Sequence, residues 1–454
     1  MTRRHEGRRR RRLTATEALQ TPRQRALLVG TTARMDVTAA SDSLDELARL
    51  ADTAGADVVA TELVRLDALH PATYVGSGKA TELAEGAVTA DVDVVIFDDE
   101  LTPAQQRNLE RRFRCDVVDR VALILDIFAQ HAHSRAGMLQ VELAQLRYRL
   151  PRLRGRGLEL SQQGAGIGTR GPGETQLEVD RRRIQRRLAR LEAELAALDR
   201  VRATQRKARR RRGMPTVSLV GYTNAGKSTL LNRLSGADVL VEDRLFSTLD
   251  PTTRRVALPG GETVLVSDTV GFVRRLPHQL IAAFRSTLDA ALDAQLLVHV
   301  VDAAAADPDG EIAAVREVLA EAGAPVPELL VCNKADVADA DRLAALVARN
   351  PGSVVVAGRT GAGLDALREA IAEHLSRQAP VLTLSVPYSR TDVVAGLHRD
   401  GTVLSEVHTE GGVRVTARLP VATASRYRGF ALEVGEPSRP DASAGAGPAP
   451  ATPG

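Results

Sequence analysis

Apolar positions along this chain alternate between two rhythms, short unbroken runs and stripes at helical spacing. The runs Arg25-Ala26-Leu27-Leu28-Val29-Gly30, Asp57-Val58-Val59-Ala60-Thr61 and Asp93-Val94-Val95-Ile96-Phe97 read as buried strands. Helical segments around Leu44 to Thr53, Lys79 to Val88 and Pro103 to Phe113 alternate with them, which predicts a compact α/β domain over 25–130. Farther on, Leu139, Leu143, Leu146 and Leu150 step by four, three and four, one stripe on a helix. A second helix starting near Gln176 carries Leu177, Ile184, Leu188, Leu191, Leu195 and Leu198 in a heptad-like register. Two such helices bury their stripes most economically as an antiparallel hairpin, placed at 131–212.

From 213 to 378 the runs become strand-like again, and each ends in a polar signature. Thr216 to Val220 leads into Gly221-Tyr222-Thr223-Asn224-Ala225-Gly226-Lys227-Ser228, a G-x-x-x-x-G-K-S phosphate loop between a strand and a helix. Its glycines let successive N–H groups face phosphate oxygens, reinforced by the positive end of the following helix. Lys227 is placed to reach the β and γ phosphates of a nucleotide, and the Ser228 hydroxyl to coordinate Mg²⁺. Thr263 to Ser267 ends in Asp268-Thr269-Val270-Gly271, which sets a carboxylate at a strand terminus to hold Mg²⁺ through water and a glycine amide to face the γ phosphate. Leu329-Leu330-Val331-Cys332 leads into Asn333-Lys334-Ala335-Asp336, the N-K-x-D signature for guanine. A carboxylate at Asp336 accepts from N1–H and the 2-amino group of guanine. Adenine offers neither donor, so an ATP complex leaves that carboxylate unpaired at a cost of roughly 1–3 kcal/mol, and GTP is preferred. Asp-x-x-Gly alone is a common turn and Asn-Lys-x-Asp alone a possible helix cap. Their order at successive strand ends is what specifies a P-loop GTPase.

The catalytic residues are less legible. Leu245-Phe246-Ser247-Thr248-Leu249-Asp250-Pro251-Thr252-Thr253-Arg254 reads as a loop carrying the second Mg²⁺ hydroxyl, with Thr248 preferred over Thr252. After Gly271 stands Phe272, where Ras-type enzymes place the glutamine that orients water, so intrinsic hydrolysis is expected to be slow. No catalytic residue is identified with certainty; Gly271 and Thr248 are assisting groups, and no arginine finger stands out. The base-clasping loop is expected near Val354 to Gly361, with Ala357-Gly358 where many GTPases have Ser-Ala, followed by Arg359. Alternating runs such as Leu382 to Val386 and Gly412 to Thr416 predict a small α+β domain over 379–435.

Length and composition set bounds on this picture. A chain of 454 residues, 44% hydrophobic, holds two or three packed domains. Cys115 and Cys332 stand far apart with no metal-ligand spacing, reading as reduced thiols of a cytosolic protein. No apolar stretch approaches the roughly 18 residues of a membrane helix. The arginine-rich residues 1–24 lack an apolar core segment and read as a solvated tail, not a secretory signal. Residues 436–454, rich in Pro, Ala and Gly, read as disordered.

A net charge of only +4 argues for no partner by itself, but arginine is concentrated between Arg147 and Arg212. There the glycine-rich connection between the helices, with Arg154, Arg156, Arg170 and Gly171, reads as a pliable basic tip for phosphate backbone. It lacks interleaved aromatics, so base stacking is not its mode. Val75-Gly76-Ser77-Gly78-Lys79 reads as a plain strand-to-helix turn.

In this order, the Tyr74 to Lys79 segment, the Gly164 to Glu174 loop with Thr169-Arg170-Gly171-Pro172-Gly173-Glu174, the phosphate loop and Phe246 to Arg254 closely resemble the HflX family. The resemblance covers roughly Ala26 to Ser376. It implies a monomeric, ribosome-associated GTPase that splits stalled or idle ribosomes into subunits. It also implies contact between the Gly164 to Glu174 loop and large-subunit RNA near the peptidyl-transferase centre. GTP binding would drive splitting and hydrolysis to GDP would reset the factor. Three alternatives stay open: a ribosome-assembly or RNA-modification factor, an ATP-dependent RNA-remodelling enzyme using the N-terminal domain, and a binding switch in which hydrolysis is incidental.

Overall fold

Parallel strands need crossover helices, and residues 24–119 supply them in strict alternation. The computed structural model describes residues 23–32, 37–153, 172–211, 214–237, 245–246, 252–259, 261–274, 292–323, 326–379, 381–419 and 421–434. The chain divides into two compact units, with the boundary after Leu123.

In the first unit, β1 (Gln24–Thr32), β2 (Ala56–Arg65), β3 (Val94–Phe97) and β4 (Asp116–Asp119) form a sheet in the order β2-β1-β3-β4. All three pairings are parallel. The connecting helices are α1 (Val37–Ala54), α2 (Ser77–Thr89) and α3 (Pro103–Phe113). The third starts on a capping box between Thr102 and Gln105, with Pro103 at its first position, and stops at Arg114 in the left-handed conformation. Strand β4 was not expected, because two valines between carboxylates make no periodic signal. Register with β3 defines it, and the buried Asp119 carboxylate accepts from the main-chain N–H groups of Leu101 (3.1 Å) and Ala122 (2.9 Å).

Helix α4 (Arg120–His131) runs across the unit boundary and is followed by α5 (Arg135–Arg152) and α6 (Pro172–Arg211). The long α6 begins earlier than the Leu177 stripe suggested, so Pro172-Gly173-Glu174 belong to helix and not to the glycine-rich loop. Proline at the first helical position forfeits no hydrogen bond, which explains how the helix starts there. Leu139 and Leu143 of α5 pack on Leu191 of α6, with Leu146, Leu188, Leu195 and Leu198 around them. Beside this seam Arg187 donates to both oxygens of Glu142 at 2.7 Å, and that bidentate bond holds the Glu142 carboxyl below its usual range.

A six-stranded sheet follows in the order β10-β9-β8-β5-β7-β6. Its members are β5 (Thr216–Gly221), β6 (Thr253–Ala257), β7 (Thr263–Asp268), β8 (Leu296–Asp302), β9 (Glu328–Asn333) and β10 (Val354–Val355). Only the β6–β7 pairing is antiparallel. Because β7, β5, β8 and β9 are parallel neighbours, their carboxyl ends bring Asp268, Gly221, Asp302 and Asn333 to one edge. Helices α7 (Lys227–Ser235), α8 (Pro308–Glu321), α9 (Ala340–Arg349) and α10 (Leu364–Gln378) accompany the sheet. Leu230, Leu231 and Leu234 of α7 share a core with Val217, Leu219, Val264 and Val266.

The last sheet is antiparallel, in the order β12-β13-β11-β14, from β11 (Val381–Val386), β12 (Thr402–Thr409), β13 (Gly412–Arg418) and β14 (Ala431–Val434). Alternate residues Leu382, Leu384 and Val386 meet Val413, Val415 and Ala417 in a core shared with Val393 and Leu397 of α11 (Thr391–Asp400). A short α12 (Val421–Tyr427) precedes the final strand. The class is the expected one: α/β, with a P-loop GTPase domain between a smaller α/β domain with helices and a small α+β domain. No helix among the described residues is long and apolar enough to cross a membrane.

Candidate nucleotide site

Strand β5 buries Val217, Leu219 and Val220, then turns away at Gly221, whose φ of 148° leaves no room for a side chain beside the Val300 carbonyl. The loop continues through Asn224 (φ 59°) and Gly226 (φ 90°), where a methyl group would collide with the Asn333 side chain. Lys227 opens α7 almost wholly buried, its Nζ donating to the carbonyls of Gly221 (3.0 Å) and Tyr222 (2.8 Å). Burial lowers its pKa to about 8, against the opposing pull of Asp268 and Glu311. A desolvated cation bonded only to neutral carbonyls is a site that an anion stabilises.

Residues from the end of β7 lie directly on this loop. Ser228 Oγ donates to Asp268 Oδ2 at 2.6 Å, and Asp268 is 1% exposed. The Thr269 hydroxyl donates to the Leu219 carbonyl (2.6 Å), so its side chain ties two strands together. Val270 is half-buried. A methyl group on Gly271 would lie 2.7 Å from Thr223 Cα and 3.1 Å from Lys227 Nζ. Thr223 N–H donates to the Phe272 carbonyl (2.7 Å), and Phe272 N–H to the Gly221 carbonyl (3.1 Å). The Phe272 side chain is buried with Val220, Tyr222, Leu297, Val315, Val318 and Leu319.

On the other side of the loop, Asn333 acts as a stitch. Its Nδ2 donates to the Ala225 carbonyl (2.8 Å) and its Oδ1 accepts from Gly358 N–H (2.9 Å), which joins the phosphate loop to the last loop. Lys334, at φ 61°, pairs with Asp302 at 2.8 Å. Ala335 N–H donates to the Val356 carbonyl (3.2 Å) and Ala357 N–H to that of Ala362 (2.9 Å). The Asp336 carboxylate lies 3.6 Å from Nε of Arg359, a side chain that is 82% exposed. Arg233 donates to the Arg359 carbonyl (2.7 Å), so the last loop is braced from α7.

The structure therefore brings together the phosphate loop, Asp268 to Gly271, Asn333 to Asp336 and Ala357 to Arg359. Phe246 is placed as well, buried with φ 58° and its ring against Phe128. Ser247, Thr248, Leu249 and Asp250 lie outside the described residues, as do Arg154, Arg156, Arg170 and Gly171. Thr252, the other candidate hydroxyl, accepts from Asp268 N–H through its carbonyl (2.9 Å). Asp302 was missed, although it closes the apolar run Leu296 to Val301 as Asp268 closes its own. In the first unit Lys79 pairs with Glu82 (2.6 Å) and Glu62 (3.7 Å), and the turn before α2 follows an isolated His70–Tyr74 bridge, not a strand.

Known proteins with this arrangement are numerous. The family described as 50S ribosome-binding GTPase matches residues 216–334, and those described as GTP-binding GTPase N-terminal and Middle Region match 41–129 and 131–209. A GTPase HflX of Caldanaerobacter subterraneus subsp. tengcongensis is 44% identical over 92% of this chain and 96% of its own length. The Escherichia coli GTPase HflX is 44% identical over 84% of this chain and 90% of its own. Among solved structures, a GTP-binding protein of Sulfolobus solfataricus in complex with GDP covers 77% of this chain and 98% of its own, at 23% identity and a TM-score of 0.42, too slight a likeness to argue from. Identity sustained along almost the whole length, over a strand edge that carries all the nucleotide signatures, places this chain in the HflX family of GTPases.

Proposed function

We propose that this GTPase binds the large ribosomal subunit and separates stalled or idle ribosomes into subunits, GTP binding driving separation and hydrolysis resetting the factor. The observation that carries the reading is the match of residues 216–334 to a 50S ribosome-binding GTPase family, within a chain that aligns with HflX proteins almost end to end. In this reading the phosphate loop from Gly221 to Ser228 holds the GTP phosphates, Asp336 reads guanine, and Ala357 to Arg359 close over the base. Mg²⁺ would be held by Ser228, with Asp268 behind it and Thr248 as the second hydroxyl. The 2.6 Å hydrogen bond from Ser228 Oγ to Asp268 Oδ2 supports this, because it sets a hydroxyl and a carboxylate, the hard oxygen donors that ion takes, side by side. The ion would neutralise charge between the β and γ phosphates. Arg154, Arg156, Arg170 and Gly171 would contact ribosomal RNA. The factor works as a cytoplasmic monomer.

The direct test is sedimentation of intact ribosomes with this protein and a non-hydrolysable GTP analogue, GDP serving as control. Subunit peaks with the analogue alone are expected. Intact ribosomes in both, with nucleotide binding verified, would sink the splitting assignment in favour of assembly or RNA modification.

A further inference from the structure

Hydrolysis in this site has to proceed without a side-chain amide after Gly271, because Phe272 stands there and its ring is packed into the core. The main chain of the Asp268 to Arg274 segment lies against the phosphate loop and beside Lys227 Nζ, so its placement bears on the reacting geometry. A misplacement of about 1 Å can cost roughly 100-fold in rate, so whatever fixes that segment controls turnover. Near the glycine it is fixed by the two main-chain bonds between Phe272 and the phosphate loop. Beyond them it is fixed by Arg274 in two ways. Its main-chain N–H donates to the Tyr222 hydroxyl, and its guanidinium Nη2 lies 3.0 Å from Asp307 Oδ2.

We propose that Asp307, acting through Arg274, is a positioning residue for GTP hydrolysis, clasping the Gly271 turn against the phosphate loop. The carboxylate is well placed for this. Its other oxygen, Oδ1, accepts from Gly310 N–H at 3.0 Å as the N-cap of α8, so its orientation is set by the helix. That helix is anchored in turn by buried Ile312, Val315, Val318 and Leu319, the last three of which share Phe272's cluster. The clasp thus ties the turn to a rigid element through ring and guanidinium at once. Arg274 is 24% exposed and Asp307 45%, so solvent screens the pair and its contribution to stability is small. A merely structural role would therefore show in neither melting nor turnover, whereas a positioning role shows in turnover alone.

The test uses the full chain, single-turnover GTP hydrolysis with protein in excess, a fluorescent GTP analogue for affinity, and thermal melting. Asp307→Asn keeps an oxygen for the cap and removes the charge. Asp307→Asn and Arg274→Ala should each slow hydrolysis roughly tenfold or more, with affinity changed by less than about twofold. The double variant should be no slower than the slower single, and Arg274→Lys should recover part of the rate. Normal turnover in Asp307→Asn overturns the proposal, since Arg274 would then act without it. Losses that multiply in the double variant, or a weakened affinity at unchanged turnover, overturn it too. The assay contains no ribosomes, so its failure is distinguishable from failure of the splitting reading.

Discussion

The ring of Phe246 lies 4.6 Å from that of Phe128, centroid to centroid, with the planes at 72°. Both side chains are buried, so a residue of the loop between phosphate loop and β6 is pinned edge-to-face on helix α4. Such pairs contribute about 0.5–1.5 kcal/mol beyond the area they bury. A double-mutant cycle with Phe128→Leu and Phe246→Leu, read by urea unfolding, should return a coupling of that size. Strictly additive losses would mean that the contact holds nothing.

Lys227 is expected to make nucleotide binding pH-dependent. Its pKa is about 8, because burial opposes the charge. Phosphate oxygens favour the charged form, so the bound complex keeps its proton to higher pH. Above about pH 8 binding then takes up a proton, and GDP affinity should fall by up to about tenfold per pH unit. Calorimetry between about pH 7 and 9 measures this slope. Lys227→Met should bind weakly with the slope removed; the same slope in the variant would assign the proton to another group.

His299 sets part of the acid limit of stability. It is 1% exposed on β8, with Nδ1 2.7 Å from Glu328 Oε1. Burial lowers its pKa below the ordinary 6.5, although the Glu328 bond pulls the other way. The unfolded chain therefore takes up a proton that the folded one refuses, and stability present above about pH 6.5 is lost as pH falls below it. Melting temperature should drop between about pH 7 and 5, and less steeply in His299→Gln. Equal slopes would clear His299 of this role.

In the proposed reading Asp336 decides which base is accepted. Asp336→Asn replaces an acceptor with a donor opposite the guanine amino group and should weaken GTP binding by about 1–3 kcal/mol or more. Xanthosine triphosphate, which carries a carbonyl at that position, should bind the variant better than GTP does. Competition against a fluorescent guanine nucleotide reads both, and unchanged GTP preference would remove Asp336 from the base site.

The sequence by itself determined the elements and the signatures at their ends, because both are local. A run such as Leu329 to Cys332 followed by Asn333-Lys334-Ala335-Asp336 carries strand, turn and chemistry within eight residues. The glycines of the phosphate loop were legible for the same reason, since their conformational freedom is a property of single residues. Strand β4 was not, because only its pairing with β3 distinguishes two valines from a loop. The bracing of the site was not legible either. Asn333 reaches back to Ala225, Lys334 to Asp302, Arg274 forward to Asp307, and Phe246 to Phe128. Each pair joins residues remote in sequence, and no local periodicity records which carboxylate a given arginine will meet. Only parallel register, which lines up the ends of β7, β5, β8 and β9, decides that Asp268, Gly221, Asp302 and Asn333 share one edge.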